Sequence, residues 1–375
     1  MTLRDAENLM PKPSGSAAAS ESMTMLSELL LSSGGKDGPW PGAAVARGMS
    51  AAQFEELLAL ASANHVVVRG LEVFRSIMLA AQDPVRAEWA AAALAVERSR
   101  ITVAIRFLAE VCDAFQAESL DVTVMKSLDH WPDLGSDLDL YTNASPRAVC
   151  DLMTRRFGAR IASRSWGDRL ACKWNFEIPG LPGPVEAHVG RLGQTGEQAV
   201  LASRIHARSR FVEVRGHTFR VPSAPDRLMI STLQRMYRHF YFRLCDVLDS
   251  AALVSSGDLD FQELHAFAQE AGIWEGVATY LAIVSDYVCQ YRGAGLGLPQ
   301  FVRDAARFGG DLITFKSRFL RVPILPQSAG LYRTQLAGLL RRRELHSSAR
   351  LGLLPWLATA AAIGQKLTGS DKGIW

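Results

Sequence analysis

Paired cysteines are what this sequence most plainly lacks. Its five cysteines, Cys112, Cys150, Cys172, Cys245 and Cys289, are scattered singly through 375 residues. With no C-x-x-C spacing, the set argues against a disulfide framework and against a zinc site, and reads as buried thiols of a reduced, cytoplasmic protein. A basic N-terminal region leading into a long apolar run is also missing, so no signal peptide is expected. The longest apolar stretch, near Leu354 to Ile363, falls well short of the roughly 20 residues a membrane span needs, which points to a soluble protein with no membrane partner. An excess of one charge is absent too. Lys and Arg number 41 against 38 Asp and Glu, a formal net charge of +3. That is too little to imply a nucleic-acid partner, but it is compatible with a small polyanion met locally by a few Arg and Lys. The one sharp basic cluster, Arg341-Arg342-Arg343, reads as a solvated loop or helix end, with a nucleic-acid or acidic-partner contact as the alternative.

What remains is an ordinary globular composition, 48% apolar and 21% charged, in a chain long enough for two or three domains. Residues 1–48 are rich in Ser, Ala, Gly and Pro and read as a flexible segment, with Met23 to Leu31 as a possible short helix. Residues 49–118 carry a helical pattern: Ile101, Ala104, Ile105, Leu108, Val111, Cys112 and Phe115 recur every three or four residues and form a core stripe. Between 119 and 222 the period changes. Leu120 to Met125, Asp137 to Thr142, Lys173 to Ile178 and Val185 to Val189 read as strands, and Phe211 to Val221 as a hairpin turning at Arg215-Gly216. Pro146 to Phe157 reads as a helix. Residues 223–375 read as helical again. They open on a capping box of Ser223 and Asp226, followed by one long stripe from Met229 through Leu233, Met236, Tyr237, Phe240 and Leu244 to Ala251. The fold class this gives is α+β, a small mixed β-sheet flanked by N-terminal and C-terminal helical regions.

Chemistry concentrates in Val122 to Tyr141. Side chains two apart on a strand point the same way, so Asp137 and Asp139 share a face while Leu138 and Leu140 point to the core. Two carboxylates forced together repel unless a cation lies between them, and hard oxygen ligands suit Mg²⁺, which completes its shell with phosphates and water. A third acid, Glu186, lies on V-E-A-H-V with Val185 and Ala187 on the opposite face and His188 on its own. Three such acids could hold the two metals of a phosphoryl-transfer site. Trp131 and Trp166 fall in loops near these acids, where packing competes with stacking on a base.

A strand ending in a small residue, then S-D-x-D-L, then a later strand with one acid resembles the DNA polymerase beta-like nucleotidyltransferase superfamily. The match runs through Val124-Met125-Lys126-Ser127, Ser136-Asp137-Leu138-Asp139-Leu140 and Glu186. The sequence is most similar to a bacterial nucleotidyltransferase family that carries a Lys-Gly pair, D-x-D-L, E-x-H, and then a helix with His and Arg-x-x-Asp. Here Lys126, Asp137, Asp139, Glu186-Ala187-His188, His239 and Arg243-Leu244-Cys245-Asp246 match in order, over about Ala51 to Pro299. Two positions depart from the pattern: Lys126-Ser127 stands where the superfamily has Gly-Gly or Gly-Ser, and Leu134-Gly135-Ser136 stands where an Arg often precedes D-x-D.

The resemblance implies a Mg²⁺-dependent transfer of a nucleoside monophosphate from a nucleoside triphosphate to an acceptor on a small molecule, peptide or saccharide. Asp137, Asp139 and Glu186 would hold two Mg²⁺ ions, and Lys126, Ser127, Ser136, His188 and Arg243 would bind the nucleotide. Each of these has a plainer reading: Ser127 a turn residue, Lys126 a surface lysine, His188 a structural histidine, Arg243 an ion pair with Asp246 one helical turn on. His239 is open in the same way. Two other functions fit the same residues, a toxin-like enzyme modifying RNA or protein and a non-catalytic nucleotide-binding scaffold.

Overall fold

The computed structural model describes residues 16–32, 42–192 and 197–368. Most of the segment expected to be flexible lies outside these residues, but Ser16–Leu31 is a helix, with Met23, Leu26, Leu29 and Leu31 buried. Two further helices follow from the N-caps Ser50 and Asp83. The Ser50 hydroxyl accepts from the Gln53 N–H while the Gln53 side chain accepts from the Ser50 N–H, which starts Ala51–Ala63. Asp83 caps a 34-residue helix, Pro84–Ala117, with Pro84 in the first turn; both placements satisfy amides that a helix start leaves orphaned. The stripe from Ile101 to Phe115 is buried throughout, as its spacing predicts.

The central sheet has five strands: β1 (Thr123–Val124), β2 (Leu138–Thr142), β3 (Arg160–Ile161), β4 (Lys173–Glu177) and β5 (Val185–Val189). Their order is β1-β2-β5-β4-β3, and only the β2–β5 pair is parallel. The helix Pro146–Phe157 lies in the crossover between β2 and β5, as a parallel connection requires. Leu138, Leu140, Val185, Ala187 and Val189 are all buried. The structure is therefore α+β, a small mixed sheet between helical flanks.

Several expectations are corrected. The first strand spans two residues instead of six, because Leu120 N–H bonds back to Phe115 O to close the long helix and Lys126 turns the chain away at positive φ. β6 (Arg210–Val214) and β7 (His217–Val221) form the expected hairpin, with Arg215 and Gly216 both at positive φ, but they make a separate two-stranded sheet. The fifth strand of the main sheet is instead β3, whose two exposed residues carry no burial signal.

The C-terminal part is not purely helical: β8 (Tyr241–Phe242), β9 (Thr314–Lys316) and β10 (Phe319–Arg321) form a three-stranded sheet. The long stripe from Met229 to Ala251 is broken accordingly. The helix Ala224–Thr232 widens into a π-helical stretch, Leu233–His239, and Phe240 takes a left-handed conformation. Tyr241 and Phe242 then pair with β10, and a new helix, Leu244–Ser255, starts at Arg243. Apolar spacing alone cannot register this break, because a strand partner some 80 residues away imposes it.

The cysteines also differ from expectation. All are free, but only Cys112 and Cys245 are buried, and Cys289 is exposed. No helix among the described residues is long and apolar enough to cross a membrane.

Gly183, in the loop before β5, lies against the Ser136 main chain. A Cβ there would stand 1.9 Å from the Ser136 carbonyl oxygen. Neither backbone can yield without moving Asp137, because Leu138 N–H donates to Pro184 O at 3.0 Å beside it. Gly183→Ala is therefore expected to destabilise the protein by about 1–3 kcal/mol, the usual cost of overpacking. A thermal-unfolding midpoint equal to the parent's would show that this close approach is not required.

Candidate functional site

The site is built from strand register. In the parallel pairing of β2 and β5, Asp139 lies directly opposite Glu186 and Tyr141 opposite His188. Side-chain parity then turns Asp139, Glu186 and His188 to one face, with Asp137 just ahead of β2. Across the next pair, Lys173 on β4 lies opposite His188. Four expected residues thus meet on one face of the central strands, joined by a lysine that the sequence reading did not single out.

Two ammonium groups neutralise the acids. Lys126 Nζ bonds Asp139 and lies 3.7 Å from Glu186 Oε1. Lys173 Nζ contacts Glu186 Oε2 at 2.7 Å and Asp168 Oδ1 at 3.1 Å. His188 Nε2 completes the set at 2.8 Å from Glu186 Oε1. Lys126 holds its position with φ of 48°, a left-handed conformation usually left to glycine. The expected superfamily glycine is replaced here, yet the backbone keeps a conformation that glycine would favour. Ser127 is buried and structural in its bonding: its hydroxyl accepts from Asp139 N–H at 2.8 Å and donates to Asp137 O at 3.3 Å. It fastens the turn after β1 to the start of β2. Ser136 is exposed at the cleft rim beside Asp137.

The electrostatics follow from this packing. Burial pushes the Asp139 carboxyl up to about 7, with Glu186 and Asp137 adding to the rise and Lys126 opposing it. Glu186 goes the other way: burial alone would raise it, but Lys126, the His188 hydrogen bond and Lys173 hold it well below the usual carboxylate range. Burial, then the charge of Glu186, raises Asp137. His188 is pushed down to about 4 by burial, against the pull of Glu186. The two carboxyls are driven in opposite directions, the behaviour of like charges held side by side.

The acids open into a cleft of about 290 Å³. Its facing wall comes from the helix Ala224–Thr232 and the widened turns after it, which present Arg227, Arg235, Arg238 and His239, with Arg243 beyond the break. Arg227 pairs with Asp129 and Arg235 with Asp246, at 2.7 and 2.8 Å. Arg238 and Arg243 have no carboxylate partner among the described residues, and the Nε of each is buried without a hydrogen bond. The expected Arg243–Asp246 ion pair does not form. Asp246 instead accepts from the Arg243 main-chain N–H at 2.6 Å, capping the helix, and gives its charge to Arg235. Arg243 is thereby left facing the cleft.

His188 does not line this cleft. It lies behind Glu186 and borders a smaller, mostly apolar cavity of about 70 Å³ with Leu192, Ile230 and Leu233. Trp131 is partly exposed near Arg215 and does not line the cleft, and the side chain of Trp166 lies outside what the structure describes. Arg341, Arg342 and Arg343 are exposed at a helix end, and none lines the cleft. Sequence reasoning missed Lys173, Arg235 and Arg238. Lys173 was findable as the first residue of a strand paired to V-E-A-H-V; the two arginines needed the π-helical widening.

No protein-family model matches the chain, and no curated protein matches it. Among solved structures, the chain is similar to the antibiotic-resistance factor ANT(2'')-Ia, at 10% identity and a TM-score of 0.32, over 46% of this chain and 91% of that one. It is also similar to an antigenic nucleotidyltransferase-like protein from Paracoccidioides brasiliensis, at 14% identity and a TM-score of 0.30, over 46% of this chain and 86% of that one.

The basic wall has a measurable signature in His239. Burial, then the charges of Arg238, Arg235, Lys126 and Arg243, push its imidazole down to about 2. The fold keeps this histidine neutral, while the unfolded chain protonates it near ~6.5. The stability it contributes is therefore complete above about pH 6.5 and is lost as pH falls, by up to about 1.4 kcal/mol per pH unit, reduced by solvent screening of a partly exposed ring. His239→Gln should flatten the acid limb. Thermal unfolding at pH values from about 8 to about 4 should show the variant gaining on the parent as pH drops. A constant difference across that range would contradict the assignment.

Proposed function

We propose that the protein is a Mg²⁺-dependent nucleotidyltransferase that moves a nucleoside monophosphate from a nucleoside triphosphate to a hydroxyl or similar acceptor, releasing pyrophosphate. The observation that carries this reading is the facing of two opposite charge sets. Asp137, Asp139 and Glu186 line one side of the cleft, and Arg238 and Arg243, without carboxylate partners, line the other. The sequence resemblance around Lys126-Ser127, Ser136 to Leu140 and Glu186 points the same way.

The donor set fits the metal. All three acids offer hard oxygen; ligand atoms of Asp139 and Glu186, together with His188, lie within 4.8 Å of one another, and Asp137 lines the same cleft outside that group. Asp137, Asp139 and Glu186 would hold the two Mg²⁺ ions. Bound there, Mg²⁺ supplies charge neutralisation of the phosphates and lowers the pKa of an acceptor hydroxyl. The chain's own groups do the positioning. Lys126 and Lys173, on long flexible stems, turn from the acids to phosphate oxygens, and Arg243 and Arg238 hold the far end of the triphosphate. Ser136 offers a hydroxyl at the rim, and Ser127 keeps Asp137 and Asp139 in register by bonding both main chains. His188 keeps Glu186 oriented. Catalysis of this kind is placement and charge compensation.

The acceptor reading is a small molecule, peptide or saccharide intermediate. A cleft of about 290 Å³ sits at the small end of ligand sites, which favours a compact acceptor. The exposed Arg341-Arg342-Arg343 cluster does not line the cleft, which weighs against an RNA substrate. One observation favours a second reading. Lys126, where the superfamily has a glycine, already bonds Asp139 and approaches Glu186, which is how a nucleotide-binding scaffold without transfer activity would keep its acids neutral.

Incubation of the protein with Mg²⁺ and each α-phosphate-labelled triphosphate, with a small-molecule extract as acceptor source, should yield labelled product. Asp139→Asn and Glu186→Gln should each lower the rate by about a hundredfold or more, the scale of losing one transition-state contact. Full activity in either variant sinks the site assignment, and Mg²⁺-dependent binding without transfer in the parent selects the scaffold. Arg238→Ala should raise the KM for triphosphate by about tenfold while leaving kcat within a few-fold, as loss of a charge-assisted contact predicts. A change in kcat alone would place Arg238 outside phosphate binding.

A further inference from the structure

Beside the acids, in a cluster that shares none of their side chains, three metal-ligating groups converge from distant parts of the sequence. His65 leaves the turn after the helix Ala51–Ala63, His130 ends the 3-10 turn Ser127–His130, and Cys245 sits in the first turn of the helix Leu244–Ser255. Each offers a ligand atom within 4.8 Å of the other two. From this geometry we infer a second metal site, in which His65, His130 and Cys245 bind a borderline-soft divalent cation of the zinc type.

The donor chemistry selects the ion. One thiolate and two imidazoles are the ligands that tetrahedral Zn²⁺ prefers, and Mg²⁺ does not compete for sulfur. Cys245 Sγ lies 3.8 Å from His130 Nε2. Two ligands at zinc-to-sulfur and zinc-to-nitrogen bond lengths span about 3.5 Å at a tetrahedral angle. The pair is therefore near the required separation, and His65 closes the third corner with a small shift.

The outer contacts match as well. His130 Nδ1 lies 2.5 Å from Asp249 Oδ2, so Nδ1 carries a proton and Nε2 is the nitrogen that faces Cys245, able to bind a metal once any proton on it has left. A carboxylate on the far nitrogen is how metal-bound imidazoles are held in tautomer and orientation. Asp249 is in turn fixed by Arg69 at 2.8 Å, and Arg69 also holds Asp133. His65 stands at φ of 53°, and its Nδ1 is buried with no hydrogen-bond partner. Its ring meets that of His130 edge-on, centroids 5.6 Å apart. Charge closes too: a Cys245 thiolate and Asp249 together balance a dication, and the thiol proton leaves to solvent on binding.

The alternative use of a Cys–His–Asp row is as a nucleophile with its base. Cys245 is 0% exposed and does not line the cleft, so no substrate reaches its sulfur, and that chemistry leaves His65 without a role. His65 and His130 do line the cleft. Two of the three ligands are thus open to the cleft, which leaves room for water or another donor as the fourth ligand. The single cysteine escaped the sequence reading because its partners lie 115 and 180 residues away, with no paired spacing to mark them.

The test uses the whole protein, purified without chelator for elemental analysis, then stripped and titrated with Co²⁺. One equivalent of zinc is expected, and the Co²⁺ form should show a near-ultraviolet thiolate-to-cobalt band with the visible bands of a four-coordinate ion. Cys245→Ser should abolish the thiolate band, and His65→Ala should weaken Co²⁺ binding by a hundredfold or more, with circular dichroism confirming that each is folded. Asp249→Asn should weaken it by about 10–100-fold, the range for losing such an outer carboxylate. The thiolate band should survive in Asp139→Asn and Glu186→Gln, which separates this site from the Mg²⁺ acids. Absence of a thiolate band in the parent, its persistence in Cys245→Ser, or unchanged affinity in His65→Ala would overturn the assignment.

Discussion

The structure turns on one pairing, the parallel register that sets Asp139 beside Glu186 on neighbouring central strands. Two carboxylates at adjacent positions, both largely withdrawn from water, are unfavourable unless positive charge is supplied at the same place. Lys126 supplies it from the turn after β1 and Lys173 from the start of β4. Each lysine sits where it does because of a backbone constraint, one in a left-handed turn and one in register opposite His188. The sheet's other face, with Leu138, Leu140, Val185 and Ala187, anchors that register in the core. A slip of one residue in either strand would send that strand's acid into the interior.

The basic wall depends on a fault in helical regularity. Had the segment from Met229 to Ala251 continued as one α-helix, its apolar stripe would have faced the core without interruption. Instead the π-helical stretch and the left-handed Phe240 let Tyr241 and Phe242 join β10, and Arg235, Arg238, His239 and Arg243 gather on the cleft side. Local departures from the α-helix of this kind are common where a site must be lined. Asp246 contributes twice, capping the next helix through the Arg243 N–H and neutralising Arg235, and so leaves Arg243 facing the cleft without a carboxylate.

These two features mark what was legible in the sequence. The strands carrying Asp139 and Glu186 were readable because alternation fixes both strand and face, and V-E-A-H-V matches its strand residue for residue, while Asp137 falls one residue before its strand. The hairpin was readable from Arg215-Gly216, and the N-terminal helix from its stripe. Lys173 and the arginine wall were not, since their meaning comes from pairing between strands and from a break in a stripe that continuous periodicity conceals. β3 and the sheet of β8, β9 and β10 were equally silent: two- and three-residue strands carry too little pattern to register. Spacing along the sequence likewise says nothing about Cys245 meeting His65 and His130 in space.

The helical flanks are more than packing for the sheet. Residues 126–139 run from Lys126 through His130 and Asp133 to Asp137 and Asp139, so one loop supplies groups to both clusters. That loop has little secondary structure of its own, and it is held from outside. Arg69, on the helix Val67–Ala80, binds Asp133 and Asp249, and the main-chain N–H groups of Val68 and Arg69 bond the same Asp133. Arg100, on the long helix, donates to the carbonyls of Leu134 and Gly135 at 2.7 and 3.1 Å. Asn64, fully buried, accepts from Leu244 N–H and donates to Arg318 O, tying the N-terminal helices to the start of the helix that carries Cys245 and Asp249. A loop whose backbone polar groups are satisfied by arginines and a buried carboxylate is as fixed as a strand, at the cost of needing those helices in place. The helical flanks therefore take part in the site: Asp139 and Glu186 belong to the sheet, but the loop that runs from Lys126 to Asp137 is held by Arg69 and Arg100.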